Sequence, residues 1–167
     1  GINPLIPTLI DNEDKRLSLW GVVSSKMSIP FIEGLTWTLN YSNNFRRNLV
    51  NQFTNNTISN AAEVQNGIAF KRKNEFYDWT LDNIINYRKT FADKHSVDFT
   101  LLLSRENRNL DFTTARASNF VSQSLGYNNL GLGAIQESSS NLEEQSAISQ
   151  MARVNYGFDD RYALTFT

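Results

Sequence analysis

The sequence predicts an all-β fold, an antiparallel up-and-down meander of about six strands with two long loops on one side. Three observations predict it. Apolar and small polar side chains alternate without a break in several places, most clearly in Leu35-Thr36-Trp37-Thr38-Leu39-Asn40-Tyr41-Ser42-Asn43. Short connections carrying Pro, Gly or Asp separate the alternating segments. No apolar run approaches the roughly 18 residues of a membrane-spanning helix, so any membrane crossing has to be made by strands of about 9 to 11 residues.

The first hairpin is expected from about Leu17 to Ile29, turning at Pro30-Phe31-Ile32-Glu33-Gly34 and returning from Leu35 to about Arg46. Pro and Gly break the strand there because one lacks the amide donor and the other favours positive φ. Residues 47–73, with Asn-Gln-Phe-Thr-Asn-Asn-Thr, show no stable period and read as loop. The second hairpin starts at about Asn74 and runs to Thr90, with Tyr77, Trp79, Leu81, Ile85 and Tyr87 on one face and Asp78, Thr80, Asp82 and Asn86 on the other. After Ala92-Asp93-Lys94-His95 the return strand sets Val97, Phe99, Leu101 and Leu103 against Asp98, Thr100 and Ser104. Residues 107–145, rich in Ser, Asn and Glu, form the second long loop, in which Ala115 to Leu125 has some helical spacing. The third hairpin runs from about Ser146 to Phe158, turns at Asp159-Asp160 and starts back at Arg161.

A strand shows one apolar and one polar face when two different media lie on its two sides. The connections decide which media. Those after the first, third and fifth strands are short, whereas those after the second and fourth run to about 27 and 40 residues against a usual loop of about 4 to 6. In a meander this puts all short turns at one end of the sheet and all long loops at the other, the asymmetry of an outer-membrane barrel. Aromatics on the apolar faces, such as Trp37, Tyr41, Tyr87, Tyr156 and Phe166, fit girdles at lipid headgroups, although strands favour aromatics in any setting. The alternative is a soluble β-sandwich whose apolar faces meet in one core and whose Asn-rich loops bind carbohydrate. A structural or adhesive surface protein is the third reading.

Composition excludes several function classes. A net charge of −1 gives no argument for nucleic acid, and the absence of cysteine removes disulfides, thiolate metal sites and thiol catalysis. His95, the single histidine, falls in a short polar turn and reads as a solvated turn residue rather than a general base. Asp78 and Asp82 lie four apart on one strand face, where wet-lumen carboxylates need no acid/base or calcium role. Asp159 and Asp160 read as turn formers, Gly131 and Gly133 are too few for a phosphate cradle, and Ser138-Ser139-Ser140-Asn141 reads as exposed loop. No catalytic, metal or cofactor site is expected. The start, Gly1-Ile2-Asn3-Pro4, has no signal-peptide pattern and reads as the interior of a longer protein.

Ser149-Gln150-Met151-Ala152-Arg153-Val154-Asn155-Tyr156-Gly157-Phe158-Asp159-Asp160-Arg161-Tyr162-Ala163-Leu164-Thr165 resembles a barrel hairpin of SusC/RagA-type TonB-dependent transporters, with Met151 in place of the usual aromatic and Ala163 in place of a usual leucine. Trp79-Thr80-Leu81-Asp82-Asn83, Lys94-His95-Ser96 and Asn3-Pro4-Leu5 are weaker points of likeness. The resemblance implies that residues 1–167 are part of a barrel domain in the Gram-negative outer membrane, without its plug and most of its about 22 strands. It further implies energising by the TonB complex, a SusD-like surface lipoprotein as cap, and glycan or peptide cargo moved without covalent chemistry. Asp78, Asp82, Asn86, Arg153 and Asn155 are then lumen-facing, while the apolar faces meet membrane lipid. Aromatic and amide side chains in the long loops suit sugar recognition by stacking and hydrogen bonding, which makes Phe112, Asn119, Tyr127, Asn128 and Asn129 the substrate-binding candidates.

Overall fold

A computed structural model of the protein describes residues 10–55, 66–159 and 161–167. It contains six strands: β1 (Ile10–Ser28), β2 (Leu35–Thr54), β3 (Ile68–Phe91), β4 (His95–Phe120), β5 (Gly133–Phe158) and β6 (Tyr162–Phe166). They form one antiparallel sheet in the order β1-β2-β3-β4-β5-β6, the expected meander. A single sheet gives the apolar faces no second sheet to meet, which removes the sandwich.

The strands are longer than the alternation indicates. β2 continues past Arg46 to Thr54, β3 begins at Ile68 rather than Asn74, β4 runs on to Phe120, and β5 begins at Gly133 rather than Ser146. The two long connections therefore shrink to residues 55–67 and 121–132, and the helix suggested over Ala115–Leu125 is strand as far as Phe120. The physical reason is the same in each case. These extensions carry polar or charged side chains on both faces, so backbone pairing continues while the side-chain period disappears. Parts of the first long connection (residues 56–65), the Asn3-Pro4-Leu5 segment and Asp160 lie outside the described residues.

Two compact units share these strands. One, the turn unit, takes Trp20–Asn44, Asp78–Arg108 and Glu144–Thr167; the other, the loop unit, takes the described parts of the chain up to Leu19, Phe45–Tyr77 and Asn109–Glu143.

In the turn unit every connection is short and closed by main-chain bonds. Between β1 and β2, Ile29 N donates to Leu35 O at 3.0 Å and Ile32 N to Ile29 O at 3.2 Å. Gly34 follows with φ +83°, and its carbonyl accepts from Arg88 N at 2.9 Å. A Cβ at this position would sit 1.9 Å from Arg88 O, so only glycine fits. Between β3 and β4, Lys94 N donates to Phe91 O at 3.2 Å with Ala92 at φ 49° and Asp93 at φ 56°, the two positive angles whose twist matches a hairpin. Arg161 N closes the last turn on Phe158 O at 3.0 Å with Asp159 at φ 51°, and Asp159 N donates to Lys94 O at 2.8 Å.

Among the described residues nothing covers the apolar face of this unit. Val23 is 68% exposed, Ile148 73% and Leu164 57%. At the β5–β6 pair the register Val154↔Phe166, Tyr156↔Leu164 and Phe158↔Tyr162 puts large apolar pairs on one side. On β1 both parities are apolar here, with Trp20 and Val22 beside Val23.

The loop unit holds the buried apolar cluster among the described residues: Phe53, Ala69, Ala117 and Phe120, with Tyr127, Leu130 and Leu132 packed against it. Phe53 and Phe120 meet edge to face at 5.6 Å, a favoured aromatic geometry. Residues 121–132 turn through two 3₁₀ turns, Gly126–Asn128 and Leu130–Leu132, and Gly126 adopts φ +49° where a Cβ would come within 3.3 Å of the Phe53 ring.

Gly34→Ala is expected to cost about 2 kcal/mol or more, from the left-handed backbone and the clash with Arg88 O together, read as a lower urea midpoint for the protein folded in lipid vesicles. Ala92→Gly at the β3–β4 turn is expected to raise the same midpoint by about 0.5–1 kcal/mol, because glycine adopts φ 49° without steric cost.

Candidate functional site

The polar face of the turn unit is a ladder of cross-strand hydrogen bonds. Ser24 Oγ donates to Asn40 Oδ1 at 2.6 Å. Asp78 accepts from Asn44 Nδ2 at 3.4 Å and from Arg108 Nε at 3.3 Å. Asp82 Oδ1 accepts from Ser104 Oγ at 2.5 Å, and Asn86 Oδ1 from Thr100 Oγ1 at 2.9 Å. Arg88 Nε reaches Asp98 Oδ2 at 2.9 Å. On the last hairpin Arg153 Nε donates to Thr167 Oγ1 at 3.2 Å and Asn155 Oδ1 accepts from Thr165 Oγ1 at 2.9 Å. All five polar residues read from the sequence, Asp78, Asp82, Asn86, Arg153 and Asn155, thus lie in strands and are held by the neighbouring strand. Thr100 and Ser104 are on the polar face where the sequence puts them, but the pairings with Asn44, Ser104, Thr100, Arg108, Thr165 and Thr167 are not in the sequence pattern, because cross-strand register cannot be read from one strand's alternation.

Asp78 and Asp82 each hold separate partners rather than sharing a proton or an ion. Among the described residues no group of three or more His, Cys, Asp or Glu is placed to hold a metal. His95 departs from the solvated turn residue expected of it. It opens β4 and is half-buried, with Nδ1 2.7 Å from Tyr156 Oη and its ring 4.9 Å from that of Phe158. The β5 aromatics that shelter it arrive from the next hairpin, which the local sequence around His95 does not contain.

The five substrate candidates are dispersed. Phe112 and Asn119 lie in β4 rather than in a loop, a consequence of that strand's polar extension. Asn119, at φ 57°, accepts from Asn66 Nδ2 at 2.9 Å, and Asn119 N donates to Gly67 O at 3.2 Å, so its side chain pins the end of the 55–67 connection. Asn129 is spent on Gly131 N at 3.1 Å, capping the second 3₁₀ turn. Asn128 is exposed in the first of those turns. Tyr127 lies with Lys71 Nζ 5.9 Å from its ring centre, and desolvation with the nearby carboxylates of Asp11 and Glu13 pushes its hydroxyl above the usual phenol range. Phe112 occupies an even position of β4, whereas Lys71 and Tyr127 belong with the odd positions of β3, so the candidates do not converge on one site.

Both faces of the loop unit carry charged side chains. At odd positions Lys15 pairs with Glu13 at 2.6 Å, Arg47 with Glu75 at 3.9 Å, and Lys73 with Glu75 at 2.9 Å and Asp111 at 3.8 Å. At even positions stand Arg16, Arg46, Arg72 and Arg116 with Phe70, Phe76 and Phe112. The Arg46 guanidinium lies 5.1 Å over Phe76 and that of Arg72 5.6 Å over Phe70, while Arg16 pairs with Asp14 at 2.8 Å. Periodicity arguments passed over this face, since residues 47–73 and 107–145 were read as loop.

A meander of long strands with one bare apolar face and one face of bonded polar side chains defines a stretch of transmembrane β-barrel wall. Comparison with known proteins gives the particular kind. The chain is 26% identical over 166 residues to TonB-dependent receptor P39 of Formosa agariphila, covering 98% of the chain and 16% of that receptor. It is 28% identical over 138 residues to TonB-dependent receptor P3 of the same organism, covering 82% of the chain and 14% of that receptor. No family model matches. Among solved structures, the chain is similar to the RagAB peptide transporter with a TM-score of 0.81 at 16% identity over 94% of the chain and 17% of the transporter chain. A second RagAB structure, of the importer in its closed-closed state, gives a TM-score of 0.63 at 20% identity, covering 91% of the chain and 17% of that one. The resemblance to SusC/RagA-type TonB-dependent transporters read from the last hairpin is borne out, and the chain spans about a sixth of the curated relatives it matches.

If the ladder stiffens the sheet, the cycle of Asp82→Ala, Ser104→Ala and the double variant should return a coupling of about 0.5–1.5 kcal/mol in urea unfolding from lipid vesicles. Strictly additive single effects would show that the 2.5 Å contact contributes nothing of its own.

Proposed function

We propose that this chain is a section of the barrel wall of a SusC-like TonB-dependent transporter that imports glycans, peptides or similar nutrients across the outer membrane, energised by the TonB complex and working with a SusD-like surface lipoprotein. The observation that carries this reading is the uncovered apolar face of the turn unit, with Val23, Leu103, Ile148 and Leu164 exposed on the side opposite the hydrogen-bonded polar ladder. In water such a face would cost about 25 cal/mol for each Å² left wet, whereas against acyl chains it costs nothing. Similarity to two TonB-dependent receptors over nearly all of the chain supports the transporter.

On this reading Asp78, Asp82, Asn86, Arg153 and Asn155 face the lumen. The role of the segment is mechanical and electrostatic: it keeps lipid out, holds a polar inner surface and contributes no bond-making chemistry. The strands are much longer than a bilayer crossing needs, 24 residues in β3 and 26 in β4 and β5 against about 9 to 11. Along β3 the odd positions read Lys71, Lys73, Glu75 and then Tyr77, Trp79, Leu81, so the bilayer boundary falls near Tyr77, and the charged positions lie in water outside the membrane.

Leu101→Arg and Thr100→Arg test the assignment because the two residues are adjacent on β4 and face opposite ways. Leu101→Arg is expected to cost about 2–4 kcal/mol in a lipid-embedded barrel and Thr100→Arg much less, measured by reversible unfolding from vesicles. Equal effects would mean that the inside and outside of the sheet have been exchanged or that no lipid lies on either.

A further inference from the structure

We propose that Arg105 and Trp79, on the apolar face of the turn unit, form a docking site for the phosphate headgroup of an anionic lipid at the loop-side edge of the membrane. The proposal rests on the transporter-wall reading, which puts lipid against this face, and it adds one specific lipid contact.

The position of Arg105 carries it. The offset that pairs Asp82 with Ser104 and Asn86 with Thr100 sets Leu81 opposite Arg105 and Trp79 opposite Asn107. On the other side Asn107 Nδ2 donates to Ser146 Oγ at 3.4 Å, which sets Arg105 beside Ile148. Arg105 therefore continues the apolar row Val97, Phe99, Leu101 and Leu103 of β4, and it is exposed, as are Leu103 and Ile148 around it. Both strands that flank β4 are present, so its neighbours within the sheet are those of the complete wall. From Val97 to Arg105 the strand rises ~26 Å along its axis, or ~20 Å in height at a tilt of ~40°, against an apolar band of ~25 Å. The residue is then still at hydrocarbon level, one side-chain length short of the headgroups.

Its charge has no answer within the protein. Of the two strand cations that share this face of the turn unit, Lys89 is paired with Glu33 at 3.4 Å, whereas Arg105 forms no ion pair among the described residues. A cation among acyl chains needs an anionic partner, and the membrane offers one only at its headgroups. The side chain is already directed there. Its guanidinium lies 5.9 Å from the centre of the Trp79 ring, which stands one rung nearer the loop end than Leu81, so the long cation reaches out of the hydrocarbon along its own strand pair. The ring limits the freedom the guanidinium loses when it binds. The planar fork matches two oxygens of a phosphate with parallel hydrogen bonds. On the same rung as Trp79, exposed Ser146 accepts from Asn107 and keeps its own hydroxyl proton to donate. A choline headgroup shadows its phosphate with its own cation, so the site favours a lipid of net negative charge.

The test uses the full receptor that contains this wall, reconstituted in phosphatidylcholine vesicles with a small fraction of photoreactive phosphatidic acid or, in parallel, photoreactive phosphatidylcholine with the same acyl chains. Crosslinks at Leu103 and Ile148 are then quantified by mass spectrometry. Phosphatidic acid is expected to label these residues about fivefold more than phosphatidylcholine, the effect of one basic side chain beside an anionic lipid. The excess should vanish in Arg105→Gln, persist in Lys89→Gln and survive millimolar inorganic phosphate. Equal labelling by the two lipids, or an excess that Arg105→Gln leaves intact, would overturn the proposal while leaving the wall reading in place. Loss of the excess to inorganic phosphate would also overturn it, making Arg105 a site for a soluble anion. Labelling by neither lipid would remove the wall reading and this proposal with it.

Discussion

Everything in this structure depends on an antiparallel register that does not slip. Between β1 and β2, Glu13 meets Asn51 and Ser24 meets Asn40 with the same pairing offset at both ends. Between β3 and β4 the offset that joins Arg88 to Asp98 also joins Gly67 to Asn119. A shift of one residue anywhere along such a strand would exchange its two faces, moving Asp82 to the apolar face and Leu81 to the polar one. Charge and apolarity are therefore sorted by the backbone, and the side chains confirm the register through the polar ladder rather than create it. The left-handed residues Gly34, Ala92, Asp93 and Asp159 matter for the same reason, since each fixes a turn length and with it the register of the strands it joins.

The parts of the fold that were legible in the sequence are those where two media meet. Leu35–Asn43 and Tyr77–Tyr87 announce themselves because one side is apolar and the other wet. Residues 47–54, 68–73, 107–120 and 133–145 are strand as well, yet polar and charged side chains on both faces leave them no alternation, and Asn, Ser, Glu and Arg there look like loop composition. Phe112 and Asn119 were placed in a loop for that reason. The polar residues Asp78, Asp82 and Asn86 were found correctly on one face, but not their partners, because a partner lies at a distance in sequence fixed by turn length. His95 shows the same limit: its surroundings come from Tyr156 and Phe158, 61 and 63 residues away by number.

Charged side chains stand on both faces of the loop unit. Ion pairs between exposed side chains contribute little to stability individually, so Lys73 with Glu75 and Asp111 is better understood as neutralisation than as glue. On the even face of that unit the guanidinium groups of Arg46 and Arg72 lie over the Phe76 and Phe70 rings. The buried cluster of Phe53, Ala69, Ala117 and Phe120 sits in that same unit, so residues 121–132 are fastened by packing and hold the ends of the neighbouring strands in place.

The main-chain bonds at the turns also bear on how the sheet assembles. Gly34 O on Arg88 N ties the first turn to the strand that follows, and Lys94 O on Asp159 N ties the second turn to the third. Each hairpin is built from residues close in sequence, and these bonds join it to the next one. In a sheet whose strand order follows the chain, each strand pairs only with its neighbours in sequence, so no strand has to be threaded between two that are already paired.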